Sequence, residues 1–189
     1  MSIPCMILLS AVLATGACID AAAQEPIKLA ALFNRTGAMA AIDEPGYKGA
    51  ALAVRVINSK GGLLRGRPIQ LISVDTKTDL AHVGEAAGGV IAKGPAAGLG
   101  FGDSDYAFRA GAVFETQGIP FVTSGATDPT LPERLGLRVF MTAFGDDDQA
   151  AAAADFTFKD LRAGNVAIWA NNSTDYTRVL SKLFKRRME

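Results

Sequence analysis

The feature that most constrains the fold of this chain is a regular alternation of strand-like and helix-like segments beginning at Ile27. Short apolar runs predict strands at residues 27–33, 68–75, 96–101, 118–123 and 166–170, with a brief extended piece at 139–142. Segments with helical spacing lie between them, at residues 47–58, 79–92, 105–116, 146–161 and 175–187. Right-handed crossovers between consecutive strands then predict an α/β fold, with a parallel, doubly wound sheet and helices on both faces.

Local signals place the ends of several predicted helices. Pro45 lies just before the first helix, and the glycines from Gly61 onward stop it. Asp79 can cap the second helix. The helix that begins at Asp146 carries three acidic residues in its first turn, which suits the positive end of the helix dipole.

The candidate binding site lies in the loops that follow the strands, because ligands of such sheets bind at the carboxyl ends of the strands. Four loops qualify, after Phe33, Asp75, Phe101 and Thr123. The last two are rich in small and polar residues, and they are neighbours if their strands are adjacent. We therefore expect those two loops to form one shared site.

The loop after the third strand, Gly102-Asp103-Ser104-Asp105-Tyr106, offers a hydroxyl, two carboxylates and an aromatic ring where a helix begins. A helix N-terminus with a free hydroxyl can hold an anionic or carbonyl group. The alternative is that Ser104 or Asp105 only caps the helix. The sequence leaves both interpretations open, and Asp103, Ser104, Asp105 and Tyr106 are candidate ligand-binding residues.

The loop after the fourth strand contains Gly125, Ala126 and Thr127. Its small residues let a ligand approach the backbone N–H groups, and Thr127 adds a hydroxyl. The alternative is a tight turn followed by a helix start at Asp128-Pro129. Both interpretations stay open, and Gly125, Ala126 and Thr127 join the candidate residues.

The overall composition excludes several classes of function. Lys and Arg together number 19, as do Asp and Glu, so the chain lacks the basic excess of a nucleic-acid binder. Its longest apolar stretch is shorter than the ~20 residues of a membrane span. No metal-ligand spacing and no glycine-rich phosphate fingerprint is present, so we expect neither a metal nor a cofactor.

The first 23 residues have the pattern of an export signal. Residues 5–17 form an apolar run of suitable length, and the alanines at 21–23 permit cleavage before Gln24. We therefore expect a periplasmic protein without membrane insertion after cleavage. The alternatives are a buried N-terminal helix and lipid attachment at Cys18, although residues 15–17 match a lipidation motif poorly.

An enzyme is a minor alternative. Gly102-Asp103-Ser104 and the Asp79 to His82 segment resemble the two signature fragments of GDSL-type esterases. Their order is reversed relative to that family, and His82 is the only histidine, so no base follows the serine. We therefore expect no enzymatic activity.

Several segments occur in an order and spacing typical of one known family. They are Thr36-Gly37, residues 49–54 leading into 57–69, residues 118–122, residues 124–127, and residues 165–170 followed by Asp175-Tyr176. Together they resemble the periplasmic solute-binding proteins of ABC transporters, in the branched-chain amino-acid (Leu/Ile/Val) binding group. The resemblance covers nearly all of residues 27–184.

This resemblance implies noncovalent capture of a small solute in a cleft between two lobes, in partnership with an ABC transporter permease. Ser104 lies where the family places a hydroxyl, and Gly125 and Thr127 lie where it holds the ligand carboxylate. Tyr176 matches a ring from the second lobe, and Ile42 falls where some members have an aromatic residue. A ligand-sensing receptor or regulatory domain of the same fold is the alternative function.

Two features depart from the family pattern. Asp103 and Asp105 flank Ser104 and would repel a ligand carboxylate, so an amide, a cation or an aromatic solute is as compatible as Leu, Ile or Val. Alternatively, these carboxylates point away and cap the helix. Because family members are considerably longer, we expect a complete first lobe at 24–142 and an incomplete start of a second lobe at 143–189, as in a truncated form.

Overall fold

The computed structural model describes residues 24–189, and the predicted signal segment lies outside them. The strands are β1 (Ile27–Phe33), β2 (Ile69–Asp75), β3 (Ala97–Gly100), β4 (Phe121–Thr123) and β5 (Val139–Met141). The helices are α1 (Ala40–Ser59), α2 (Val83–Ile91), α3 (Ser104–Thr116), α4 (Leu131–Leu135), α5 (Asp146–Lys159) and α6 (Asp175–Met188). Within residues 24–189, no helix combines the length and the hydropathy that crossing a membrane requires.

The five strands form a parallel sheet in the order β2-β1-β3-β4-β5. From β1 the chain moves outward to β2 through α1, then returns past β1 and continues through β3, β4 and β5. With right-handed crossovers, this reversal places α1 on one face and α2, α3 and α4 on the other. The predicted α/β fold with a parallel, doubly wound sheet is confirmed.

Alternate side chains of β1 pack against the two helical layers. Phe33 is fully buried and meets the ring of Tyr47 in α1 edge-on, with centroids 5.9 Å apart. Ala30 and Leu32 point to the opposite face and belong to the core that α2 and α3 cover. The sheet is therefore buried on both sides, as a parallel sheet requires.

The strand predicted at residues 166–170 is not formed, and the fifth strand is β5, which the sequence indicated only as a brief extended piece. An apolar run becomes a strand only when a neighbouring strand satisfies its backbone N–H and C=O groups. Residues 165–170 have no such neighbour within the described chain, and most of them are exposed.

The first helix begins at Ala40, earlier than the predicted start at Tyr47, so Pro45 lies inside α1. A proline in a helix removes the hydrogen bond from its own nitrogen to the carbonyl four residues earlier. Tertiary bonds hold this first turn in place: the buried Asp43 side chain accepts from the backbone N–H of Asn34 and Gly102. These contacts override the local signal at the proline.

The second helix begins later than predicted, at Val83. Asp79 still caps the preceding turn, since its carboxylate accepts hydrogen bonds from the N–H groups of Ala81 at 3.0 Å and His82 at 3.4 Å. The sequence therefore identified the capping residue but not where the regular helix starts.

The last two helices, α5 and α6, pack against each other beyond the edge of the sheet. Asp155 of α5 accepts a hydrogen bond of 2.7 Å from Arg187 and pairs with Lys159 at 2.8 Å. This packing places the N-terminus of α6 near α3 and over the carboxyl edge of the sheet.

Candidate functional site

A cavity of about 270 Å³ lies at the carboxyl edge of β3 and β4. This volume is close to the lower end of the ~300–1,000 Å³ typical of small-molecule sites. The cavity is lined by Ile42, Gly102, Asp103, Ser104, Gly125, Thr127 and Tyr176. It thus joins the first turn of α1, the two loops after β3 and β4, and the first turn of α6.

The two loops meet because their strands are neighbours in the sheet. Gly100 of β3 pairs with Thr123 of β4, and the N–H of Ser124 donates to the carbonyl of Gly100 at 2.9 Å. A Cβ atom at Gly125 would lie 3.3 Å from the Cα of Gly102. Glycine at both positions therefore permits the close approach that forms the cavity.

In the loop after β3, the structure identifies the residue that caps α3, while ligand contact by this loop stays a prediction. Asp103 is the N-cap of α3, and its Oδ1 accepts a hydrogen bond of 2.9 Å from the N–H of Asp105. Ser104 is the first residue of the helix and is only 5% exposed. Asp103 is thus both the cap and part of the cavity wall, a combination that the sequence analysis did not foresee.

Ser104 is oriented by the neighbouring loop. Its Oγ accepts a hydrogen bond of 3.2 Å from the backbone N–H of Asp128. Since the oxygen serves as acceptor there, the hydroxyl proton remains available to donate into the cavity.

Two of the predicted residues on α3 lie away from the cavity. Asp105 lines a separate groove between α2 and α3, where burial and the Asp103 carboxylate raise its pKa. The Tyr106 hydroxyl donates to the carbonyl of Thr78 at 3.1 Å, and its ring packs on Phe101 with centroids 5.8 Å apart. The loop's four polar side chains therefore face in different directions.

The loop after β4 divides its residues between cavity and core. Gly125 and Thr127 line the cavity, whereas Ala126 is fully buried in the hydrophobic core. The backbone N–H groups of Gly125 and Thr127 donate to no other group among residues 24–189. They are therefore the free donors that the sequence analysis expected at this loop, and ligand contact by them stays a prediction.

A buried carboxyl group lies behind Thr127. Asp146, the first residue of α5, donates its N–H to the carbonyl of Thr127 at 2.8 Å. Its side chain is fully buried, and neither carboxyl oxygen makes a standard hydrogen bond within the described chain. Burial raises the pKa of Asp146, the carboxylates of Asp128 and Asp147 raise it further, and the Thr127 hydroxyl opposes them.

Tyr176 is the one cavity residue contributed by α6. It is half-buried, and its hydroxyl accepts a long hydrogen bond of 3.4 Å from the side-chain amide of Gln149 in α5. The ring therefore closes the cavity from the side opposite the sheet. The sequence placed this residue at the site through the family resemblance.

Ile42 was noted only through the family resemblance, and Asp146 was not among the predicted site residues. Ile42 lines the cavity because α1 begins earlier than its proline suggests. Asp146 was interpreted only as a residue favoured by the helix dipole. The sequence signal that could have indicated both residues is their position, because each lies in the first turn of a helix that faces the carboxyl edge of the sheet.

The residues of the esterase alternative are not assembled with one another. The hydrogen-bond partner of Ser104 is the N–H of Asp128, and the partner of His82 is Glu85 at 3.3 Å. Within the described part of the chain, no three His, Cys, Asp or Glu side chains are placed to hold a metal ion.

Comparison with known proteins identifies a consistent set of relatives. The pattern of the periplasmic binding protein family matches residues 26–189. The Leu/Ile/Val-binding protein homolog 3 of Brucella melitensis is 30% identical over 164 residues, which cover 87% of this chain and 44% of that protein.

Two solved structures show the same fold. The branched-chain amino acid transporter substrate binding protein LivJ of Streptococcus pneumoniae, in complex with isoleucine, superposes with a TM-score of 0.82 at 26% identity. It is matched over 87% of this chain and 47% of its own. A solute binding protein of an ABC transporter from Rhodopseudomonas palustris, in complex with 3,4-dihydroxy benzoic acid, superposes with a TM-score of 0.73. At 20% identity, with 87% of this chain and 44% of that one covered, the second likeness concerns the fold alone.

The chain spans about two fifths of the length of the curated relatives that it matches, 44% for the Brucella protein and 39% for the Leu/Ile/Val-binding protein of Escherichia coli. The likeness therefore extends over one part of each relative.

Proposed function

The chain belongs to the periplasmic binding protein family, and on that premise we propose that it captures a small solute noncovalently for an ABC uptake transporter. The solute is an amino acid or a related small polar or aromatic compound. The relatives that carry isoleucine and 3,4-dihydroxy benzoic acid support this range. No chemical step is assigned to the chain.

The observation that carries the proposal is the cavity at the carboxyl edge of β3 and β4. It brings together the hydroxyl of Ser104, the free N–H groups of Gly125 and Thr127, and the ring of Tyr176. Hydrogen-bond donors beside an aromatic surface suit a small solute with a polar head group and an apolar body. The cavity lies at the carboxyl ends of the strands, where ligands of open α/β sheets bind.

The organisation of the chain follows from the same proposal. Residues 24–142 form the first ligand-binding lobe, and residues 143–189 contribute to a second lobe. The solute lies between them, with the loops of the first lobe on one side and Tyr176 on the other.

The cellular context belongs to the proposal as well. We place the chain in the periplasm, exported through the signal at residues 1–23, where it delivers its solute to an ABC transporter permease. The family supports both points.

The proposal is tested by a thermal-shift screen of the 189-residue chain against aliphatic amino acids, amides, polyamines and aromatic acids. A ligand that binds only the folded state raises the unfolding midpoint, and the rise grows with the logarithm of the ligand concentration above Kd. We expect such a rise with one class, and we expect Ser104→Ala to diminish it. Ser59→Ala, on an exposed serine at the end of α1, is the matched control. A midpoint that no compound shifts would contradict the proposal.

A further inference from the structure

The walls of the cavity carry negative charge without a compensating cation. Asp103 is one of the lining residues, and none of the seven lining residues is Lys or Arg. Three arginines of the surrounding helices act on other carboxylates: Arg134 pairs with Asp128 at 3.3 Å, while Arg178 and Arg109 act on Asp105. A second carboxyl group, that of Asp146, is buried behind Thr127, whose hydroxyl acts on it without forming a hydrogen bond of standard geometry. The carboxylate of Asp103 therefore opposes an anionic group placed beside it in the cavity.

The cavity presents both a hydrogen-bond acceptor and hydrogen-bond donors. Asp103 uses Oδ1 to cap α3, so its Oδ2 is an acceptor with no partner among residues 24–189. The adjacent Ser104 hydroxyl and the N–H groups of Gly125 and Thr127 are donors. A free carboxylate offers acceptors only, so it satisfies these donors and is repelled by Asp103. A primary amide offers a carbonyl oxygen for the donors and an N–H group for Asp103.

We propose that the cavity holds its solute by a carbonyl group bearing an N–H donor, as in a primary amide, in preference to a free carboxylate. This inference rests on the proposed function and specifies the head group of the solute. The carbonyl oxygen accepts from Ser104 and from the N–H of Thr127, and the amide nitrogen donates to Oδ2 of Asp103. The rest of the solute extends toward Ile42 and Tyr176.

The test compares two pairs of probes that differ only in the head group. They are L-leucine with L-leucinamide, and 3,4-dihydroxybenzoate with 3,4-dihydroxybenzamide. Titration calorimetry on the 189-residue chain is expected to give at least about tenfold tighter binding of the amide within a pair. The aromatic pair contains no ammonium group, so it isolates the head group from any general preference for cations.

The variant Asp103→Asn removes the charge and keeps an oxygen that can cap α3. We expect it to reduce or reverse the preference for the amide. Asp105→Asn is the matched control, because Asp105 carries the same charge two residues away and lies outside the cavity. The control is expected to keep the preference of the unaltered chain.

The outcomes separate the head-group inference from the proposed function. Tighter binding of the carboxylates, unchanged by Asp103→Asn, would overturn the inference and leave solute capture standing. Failure to bind any of the four probes would count against both. A preference for leucinamide without a preference for the benzamide would also overturn the head-group inference. Such a result would show that the cavity selects a net cation only.

Discussion

The carboxylate of Asp43, in the first turn of α1, accepts a hydrogen bond of 2.6 Å from the backbone N–H of Gly102, 59 residues further along the chain. Its other oxygen accepts from the N–H of Asn34 at 2.8 Å. Asp43 thereby joins the carboxyl ends of β1 and β3 and fixes the position of the cavity wall. Burial raises the pKa of Asp43 despite these two bonds, so the cost of desolvating the carboxylate offsets part of the stabilisation that they provide.

Replacing Asp43 with alanine is expected to lower the free energy of unfolding by roughly 1–3 kcal/mol, because two backbone donors lose their acceptor. Urea unfolding followed by circular dichroism measures the change. The matched control is Glu44→Ala, which removes the half-exposed pair with Arg35 and is expected to cost at most about 1 kcal/mol. Equal effects of the two variants would show that the buried bonds of Asp43 contribute no more than a surface ion pair.

The buried Asp146 makes stability depend on pH in a defined direction. Its pKa in the folded chain lies above the ordinary value of 3.8, so the folded state binds more protons just above that pH than the unfolded state does. Stability should therefore fall as pH rises from about 3.8 through the raised pKa, and the full penalty should remain at pH 7. Asp146→Asn is expected to raise the unfolding free energy at pH 7 and to flatten this slope.

The control for Asp146 is Asp148→Asn, which lies two residues along α5, is exposed, and is not among the groups that shift the pKa of Asp146. It should leave the difference in stability between pH 4 and pH 7 unchanged. If Asp146→Asn destabilises the chain at pH 7 instead, the carboxylate has a stabilising partner at that pH.

A methyl group at Gly102 would enter the cavity wall. Its Cβ would lie 2.6 Å from Cγ2 of Ile42 and 3.2 Å from Oδ1 of Asp43. Gly102→Ala is therefore expected to destabilise the chain by about 1–3 kcal/mol and to weaken solute binding. Gly88→Ala, in α2 with open space around its Cβ, is expected to stabilise by about 0.5–1 kcal/mol. Thermal unfolding of both variants checks the contrast, and a stable Gly102→Ala chain would contradict the packing.

Trp169 is the only tryptophan, and its side chain is fully exposed in the unpaired segment 165–170. Its fluorescence emission is therefore expected to match that of N-acetyl-tryptophanamide in water, with full access to acrylamide. Phe156, Phe158 and Ile168 are also exposed in this region, so the apolar surface is large enough to promote association. A blue-shifted emission that persists on dilution would show that Trp169 is covered within a single chain.

The sequence predicted a strand correctly where the local pattern of apolar residues is sufficient to define it. The bounds of β1 agree with the prediction because seven residues from Ile27 form an apolar run between polar flanks. Residues 166–170 carry an equally apolar run, but strand formation there depends on a partner strand, which no local pattern encodes. The start of α1 was missed for the same reason, since Asp43 is held by residues distant in sequence.

The sequence predicted the location of the site better than it predicted which side chains line the cavity. The rule for parallel sheets selected four loops, and their small and polar residues singled out the two that form the cavity. Its lining includes Asp103, Ser104, Gly125, Thr127 and Tyr176. Direction within a loop depends on the helix turn and on packing, so Asp105, Tyr106 and Ala126 point elsewhere. Whether the lining residues contact a solute is the central prediction.

That prediction is tested most directly by ¹H–¹⁵N NMR titration of the 189-residue chain with the compound that gives the largest thermal shift. We expect saturable shifts of the backbone amides of Ser104, Gly125, Thr127 and Tyr176, with residues of β2 and α2 unaffected. Loss of these shifts in Ser104→Ala, but not in Ser59→Ala at the exposed end of α1, would place the solute in the cavity. Shifts confined to the apolar surface between Ile168 and Phe184, or no saturable shift at all, would contradict the account.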